Sequence, residues 1–570
     1  MNKTNLLTAL LLCGTCTLFA QADPSFGWVK PVYGATQTTA LQAAFTDLET
    51  DASGNTYLTG EFIGQLNFGS GVSLTGNASD PTLFLVKYGA DGTPLWAKKG
   101  APATPAAPFT FNRSCKIATD AAGNVYWSGD FITNSVDFGN NVIVTRSCTN
   151  DCSEGFLLKF DGAGSLVFQK NIRAKLGEQL HLAGVAADAQ GRHYLTGSYT
   201  GNELWLQGGA NIGGLTTQGF FLAAYNASGN AEWIAFTTDE SIVPSTQSIK
   251  VSPDGNRIVI AGNHGAGTLN FSNGAIVNST ATKNRFVLWY SVMGAPMGVN
   301  SVNSDQFVEI FDVAVDSSYT AFATCDFSGT LKDKQGTTLY SSSTERTAAM
   351  LLMTPDGVAA AGNIIPHTLS ALPTNTIAIA PSTTIFLGGL SGEPLTVPGF
   401  GTLGNSGCLD AVIQGNGNSL PVAVFGNVGG SGCERIDNIY FGSMMAPDAE
   451  GNLMVAGVFE NGGSFGTDNF NGNGLWVAKM YTGLVATSEP GESSGIAIQP
   501  NPSSGLVQIS FPENASGQCR IFSTTGQLMS EADVQSSISV QVENWPSGLY
   551  LVEFLNKQGK MVREKLLVQH

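Results

Sequence analysis

Charge is scarce in this chain. Only 12% of its 570 residues are Asp, Glu, Lys or Arg, against 42% apolar. A disordered chain would show the opposite balance. Histidine is scarcer still, with His181, His193, His264, His367 and His570 spread over different parts of the sequence. No H-E-x-x-H or Walker-type loop occurs, so the motif-bearing metalloprotease and P-loop classes gain no support. No C-x-x-C pair comes with a matching histidine cluster, which argues against a structural zinc site. The acids are too scattered to name a glycosidase pair. His193, directly before Tyr194 in a strand-like run, reads as a surface residue. Beyond the N-terminus no stretch is apolar for long enough to cross a bilayer.

What charge exists is mostly acidic. The formal net charge of −17 repels phosphate backbones and argues against nucleic acid as a partner. It also serves solubility without further purpose.

The chain opens MNKTNLLTALLLCGTCTLFAQADPS. Lys3, a short apolar run and Ala20-Gln21-Ala22 have the form of a secretory signal peptide over residues 1–22, rather than a membrane span. A lipoprotein reading would modify Cys13 or Cys16, but Leu12 and Thr15 before them suit that cleavage poorly. Removal of the leader leaves seven cysteines, in a compartment that permits disulfides. Cys148 and Cys152 flank a short loop and are the first candidate pair. Cys408 and Cys433 are the second. Cys325 lies in a strand-like run and reads as a buried free thiol. An odd count leaves at least one unpaired.

The 69 glycines have no collagen-like period, and they punctuate a repeat. TDASGNTYLTGEF at 50–62 returns as TDAAGNVYWSGDF at 119–131, ADAQGRHYLTGSY at 187–199, SPDGNRIVIAGNH at 252–264 and PDAEGNLMVAGVF at 447–459. Weaker copies lie at 315–327 and 380–390. With Asp51, Asp120, Asp188, Asp254, Asp316, Pro381 and Asp448 as markers, the steps are 69, 68, 66, 62, 65 and 67 residues. A second turn follows about 35 residues on in each unit, as in FLVKYGADGTPLW at 84–96. Both turns are flanked by runs rich in Val, Ile, Phe, Tyr and Trp, so each unit reads as two hairpins, strands A-B and C-D. Seven four-stranded units at a fixed period describe a seven-bladed β-propeller over residues 23–483. The last unit lacks a D strand, and FGWVKPVYG at 26–34 resembles one. The N-terminal strand is therefore expected to complete the last blade, with Trp28 packed there.

The repeated turn has a structural reading. Asp51 is expected to accept from backbone amides two and three residues on. Gly54 supplies a positive φ, and Gly60 admits close approach of backbone or an aromatic ring. The pairs Asp120 and Gly123, Asp188 and Gly191, Asp254 and Gly255, and Asp448 and Gly451 repeat the device. Calcium at these turns would want six to eight oxygens, several from carboxylates. DASGN and DAAGN each offer one acid, so no cofactor is expected. Between strands B and C, LNFGSG at 66–71 and its counterparts read as an extended hairpin with Phe tucked beneath the blade. This repeat resembles the β-propeller repeats of secreted proteins from Bacteroidota-type bacteria. That resemblance carries architecture and no chemistry.

After a Pro/Gly/Glu-containing linker at 484–495, residues 496–570 hold many short alternating strands, as in a small Ig-like β-sandwich. PNPSSG, STTGQL, PSGLYLV and the final basic strand resemble the type A C-terminal sorting domain of type IX secretion cargo. Pro500, Asn501, Pro502, Gly505, Gly526, Gly548, Tyr550 and Lys565 match its motif positions. Gln499 stands where that family usually has Tyr or Phe. The resemblance implies the type IX secretion machinery as a partner and an extracellular or cell-surface destination. Two functions follow as expectations: a non-enzymatic scaffold binding a glycan or protein, or an extracellular hydrolase or lyase acting at the propeller channel.

Overall fold

A computed structural model describes residues 25–34, 43–78, 80–102, 115–147, 152–174, 179–201, 203–207, 211–213, 218–238, 245–265, 267–279, 284–342, 346–367, 371–380, 384–391, 395–397, 401–403, 409–416, 423–428, 444–459, 463–465, 468–481, 496–501, 503–511, 516–523, 528–546, 548–556 and 561–568. The signal-peptide reading, Cys148, Cys408, Cys433, Pro502, Gly526 and the linker lie outside them. Among the described residues the chain is all-β, without a helix. It forms two compact units, divided between Thr482 and Gly483.

Among the described residues the first unit contains seven antiparallel sheets built on four strands A to D in order, three of them widened to six strands by a hairpin from the next repeat, and four separate two-stranded hairpins. Sheet 1 is Ala43–Thr50, Thr56–Phe62, Thr82–Tyr88 and Pro94–Pro102; sheet 2 is Lys116–Thr119, Val125–Phe131, Glu154–Phe160 and Leu166–Ala174. Sheet 3 is Leu180–Ala187, His193–Thr200, Gln218–Tyr225 and Ala231–Phe236; sheet 4 is Ser245–Val251, Arg257–His264, Asn284–Ser291 and Pro296–Ser304. Sheet 5 is Phe307–Val315, Ala321–Ser328, Arg346–Met353 and Ala359–His367; sheet 6 is Ala371–Ile379, Thr384–Ser391, Leu409–Asn416 and Ala423–Val428. Sheet 7 takes its A, B and C strands from Met444–Pro447, Leu453–Phe459 and Gly474–Tyr481. Its fourth strand is the N-terminal Ser25–Val32, antiparallel to Gly474–Tyr481 with Val29 opposite Ala478.

There is no single core. Apolar side chains gather into separate clusters between consecutive sheets: 1 with 2, 2 with 3, 3 with 4, 4 with 5, 5 with 6, and 6 with 7. A further cluster joins sheet 7 to sheet 1. The A strands touch in the same cyclic order, that of sheet 7 meeting that of sheet 1. Both faces of the inner strands are thus covered, and Thr56–Phe62 is buried at every position except Glu61. Such strands show no alternation.

The B–C excursions do more than tuck a Phe. Phe68, Phe138 and Phe271 are buried as expected, but five of the hairpins, those of sheets 1 to 5, reach out and fasten to the D edge of the preceding sheet. Ser135–Asp137 pairs with Pro94–Pro102, Glu203–Leu206 with Leu166–Ala174, and Thr330–Asp333 with Pro296–Ser304. Single bridges, Thr237 to Phe271 and Tyr33 to Asn67, do the same for sheets 3 and 7. At these five edges an unpaired outer strand, a liability in any open sheet, is capped by the neighbour.

Two glycines explain close approaches. A Cβ on Gly60 would lie 2.0 Å from the Ala44 carbonyl oxygen and 2.8 Å from the Phe84 ring. One on Gly92, at φ +78°, would lie 2.5 Å from Trp28. Trp28 belongs to a strand of sheet 7, yet its indole donates to Ala90 O in sheet 1 at 3.0 Å.

The second unit has a three-stranded sheet (Ala497–Gln499, Leu506–Ser510, Ser537–Gln541) and a four-stranded one (Leu528–Val534, Gly517–Ser523, Gly548–Asn556, Met561–Val568). Both contribute to one core, including Val507, Ile509, Ile521, Val552 and Leu566.

Candidate functional site

The repeated turn comes first, because it is the most conspicuous sequence motif. Asp51 Oδ1 accepts from Ser53 N at 2.9 Å and Asn55 N at 3.0 Å. The amides are therefore two and four residues on. The one three residues on, Gly54 N, goes to the Asp51 carbonyl instead. Asp120, Asp188, Asp316 and Asp448 repeat the arrangement. Sheet 4 departs from the reading. Its turn is one residue longer, Ser252 takes the place of Asp51 with Gly255 N on its carbonyl, and Asp254 lies two residues further on. Gly54, Gly123, Gly191, Gly255 and Gly451 all have positive φ.

These buried carboxylates have charged partners that spacing does not reveal. Lys87 Nζ lies 3.8 Å from Asp51, Lys159 Nζ 3.3 Å from Asp120, and Lys479 Nζ 2.8 Å from Asp448. Arg192 Nε lies 2.8 Å from Asp188. The cation at each is an ammonium or guanidinium from the protein. Tyrosines then tie one turn to the next: Tyr57 and Tyr126 donate to the carbonyls of Gly123 and Gly191, each at 2.9 Å. Burial and Asp51 push the Tyr57 phenol well above its ordinary range, so it stays a donor. The motif is a sheet-to-sheet fastener.

His193 requires a correction: it is fully buried. It opens strand B of sheet 3, where the seam with sheet 2 closes over it. Its ring stacks on Tyr225, with centroids 5.3 Å apart, and lies near Tyr126 and Phe168. Burial lowers its pKa to about 4. His264 is likewise buried, with its pKa lowered to about 4 by burial.

The A strands surround a cavity of about 120 Å³, lined by Asp47, Glu49, Lys116, Gln247, Ser248, Lys250, Asp312 and Thr376 among others. Three acids converge there, which residue spacing does not foretell. All three are engaged. Asp47 Oδ2 accepts from Ile117 N of sheet 2 at 2.9 Å. Asp312 accepts from Ser248 Oγ at 2.7 Å on one side and from Thr376 Oγ1 and Ile377 N, each at 3.2 Å, on the other. Glu49 receives Lys250 Nζ at 2.9 Å, joining sheet 1 to sheet 4. Burial raises the Glu49 pKa against the pull of Lys250. Burial opposes the Lys250 charge, but Glu49, Asp312 and Asp47 outweigh it and hold the ammonium above the usual lysine range.

One histidine does meet an acid. His181 Nδ1, at the start of sheet 3, lies 3.4 Å from Asp130 Oδ1 of sheet 2. Asp130 is buried, while the His181 side chain is 45% exposed. The Asp130 hydrogen bond raises the His181 pKa, and burial works the other way. Their placement on consecutive repeats, SGDF then LHL, is the signal the sequence offers.

Cys152 is disulfide-bonded, and Cys325 is a buried free thiol, as are Cys115 and Cys519. Among the described residues no group of three or more His, Cys, Asp or Glu is arranged to hold a metal ion, and no helix is long and apolar enough to cross a membrane. In the second unit the Tyr550 hydroxyl donates to Pro546 O at 2.7 Å. The Gly505 carbonyl accepts from Val542 N at 2.9 Å. Gly548 sits opposite Val568, and Lys565 opposite Leu551. Pro500 and Asn501 are exposed. Residues 497–569 match the family model of the secretion system C-terminal sorting domain. No curated protein matches the chain. The sorting domain marks type IX secretion cargo, which engages that machinery and is exported to the cell surface or the extracellular space.

Proposed function

We propose that residues 23–483 form a seven-bladed β-propeller acting as a non-enzymatic binding scaffold for a glycan or protein, carried outward by an Ig-like sorting sandwich. The cyclic order of seam clusters and A-strand contacts supports the architecture. The observation that carries the functional reading is the state of the channel. Its acids are occupied by backbone amides, hydroxyls and Lys250. A hydrolytic carboxylate pair needs groups left for substrate and water. Here the same groups join sheets. Calcium is not proposed at the turns, where protein cations already face the carboxylates.

A second reading, an extracellular hydrolase, rests on His181 and Asp130, which have the geometry of a general base with its orienting acid. One experiment separates the two. The purified chain is incubated with polysaccharide and protein panels, reading retention and new reducing ends or peptides. Retention without cleavage is expected. Cleavage abolished by His181→Ala would overturn the scaffold in favour of the hydrolase. Deleting residues 496–570 should leave the chain in the periplasm on cell fractionation.

A further inference from the structure

The fold demands the same thing of every copy, so a residue that breaks the pattern without a structural need is informative. The B–C hairpins provide the comparison. Five of them show a residue at the position where the hairpin meets the preceding sheet. Four copies carry Asn67, Asp137, Asn270 and Lys332 there, opposite or next to the neighbouring D edge. The hairpin of sheet 3 carries Trp205 instead, paired with Arg173 of sheet 2. The hairpin with Lys332 pairs over three residues, as the Trp205 hairpin does, so docking of the hairpin does not require an indole.

Trp205 is 41% exposed. The Arg173 guanidinium lies 3.9 Å from its ring centroid and donates to Ser147 Oγ at 2.8 Å, which fixes the pair. Beside it the surface is amide-rich. Gln207 Oε1 accepts from Asn171 N at 2.8 Å, and Asn171 Nδ2 donates to the Glu154 carboxylate at 3.0 Å and to Thr145 O at 3.1 Å. Gln169 Nε2 reaches Ile143 O at 3.4 Å. These bonds hold Gln169 and Asn171 of strand Leu166–Ala174 beside Gln207, which follows strand Glu203–Leu206.

We propose that Trp205, Arg173 and these amides form a binding platform for an uncharged polysaccharide. The inference rests on the scaffold reading and names its ligand. An exposed indole offers an apolar face to the C–H side of a sugar ring, and its polar surround offers hydrogen bonds to ring hydroxyls. A protein hot spot would instead sit in a desolvated, well-packed centre, whereas this indole is ringed by amides. The net charge of −17 selects against polyanionic glycans.

The test is affinity electrophoresis of the full chain in gels containing laminarin, xyloglucan, yeast mannan or polygalacturonate. Wild type should be retarded by at least one of the first three and not by polygalacturonate. Trp205→Asn copies hairpins 1 and 4, so it should fold normally, with an unchanged unfolding midpoint. It should weaken retardation at least tenfold, and Trp205→Phe should restore part of it. Retardation unaffected by Trp205→Asn overturns the platform and leaves the scaffold reading standing. Capture of a protein ligand with no retardation by any glycan does the same. Retardation only by polygalacturonate also overturns it. Failure to bind either panel overturns both.

Discussion

Acid should weaken the first unit through His193, and the effect can be isolated. In the folded chain this imidazole has no exposure to solvent and a pKa of about 4. Burial is the main cause, Lys159 and Lys170 add to it, and the Gly191 carbonyl, 3.2 Å from Nδ1, opposes it. In the unfolded chain the group titrates near 6.5. Between those values the unfolded state binds more protons, so stability rises with pH. The contribution is complete above about pH 7.5, falls as pH drops through 6.5 and is gone below about 4. At about 1.4 kcal/mol per unit, the span is roughly 3 kcal/mol. His193→Phe keeps an aromatic ring against Tyr225, Tyr126 and Phe168 while removing the proton site. Urea unfolding of both proteins at pH 7.5, 6, 5 and 4 gives a difference curve from which the other titrating groups cancel. The variant should gain on wild type by about 2–3 kcal/mol on going from pH 7.5 to pH 4. Parallel pH profiles would refute the assignment of a neutral, buried imidazole.

Gly60→Ala forces a Cβ onto the Ala44 carbonyl and should cost at least about 1–3 kcal/mol in urea unfolding. Gly71→Ala has open space at its positive φ and should lose only about 1–2 kcal/mol. Removing residues 25–33 strips the partner from Gly474–Tyr481; limited proteolysis should then cut sheet 7 first, and an unchanged digestion pattern would contradict its closure by the N-terminus. A double-mutant cycle on Glu49 and Lys250 should return a coupling of only about 1 kcal/mol, because the Lys250 side chain is 37% exposed and solvent screens the pair. A coupling indistinguishable from zero would remove its role as a brace across the cavity.

Local chemistry makes much of this molecule legible in its sequence. The turn at Asp51 needs a short acceptor, a residue at positive φ and a following strand, and all are written within a few residues. Repetition then supplies the number of units, and the sorting domain is spelled in contiguous motifs. Legibility ends where the partner is remote. His193 has polar-surface company in sequence, and only the seam between sheets 2 and 3 shows that four aromatic rings, its own included, share one space. Asp254 reads as the turn acid although Ser252 holds that place, because one added residue shifts the register without changing the composition. Lys87, Lys159 and Lys479 carry no spacing signal toward the carboxylates they meet.

The sequence by itself determined the period, the turn chemistry, the missing fourth strand of the last repeat and the address at the C-terminus, because each depends on neighbours along the chain. Only the tertiary structure decided which groups face each other across seams. Glu49 finds Lys250 201 residues away, the hairpins cap the preceding sheet rather than their own, and Trp205 meets Arg173 on an open surface. Those pairings arise where consecutive sheets pack against one another, and a one-dimensional pattern does not encode the angle between them.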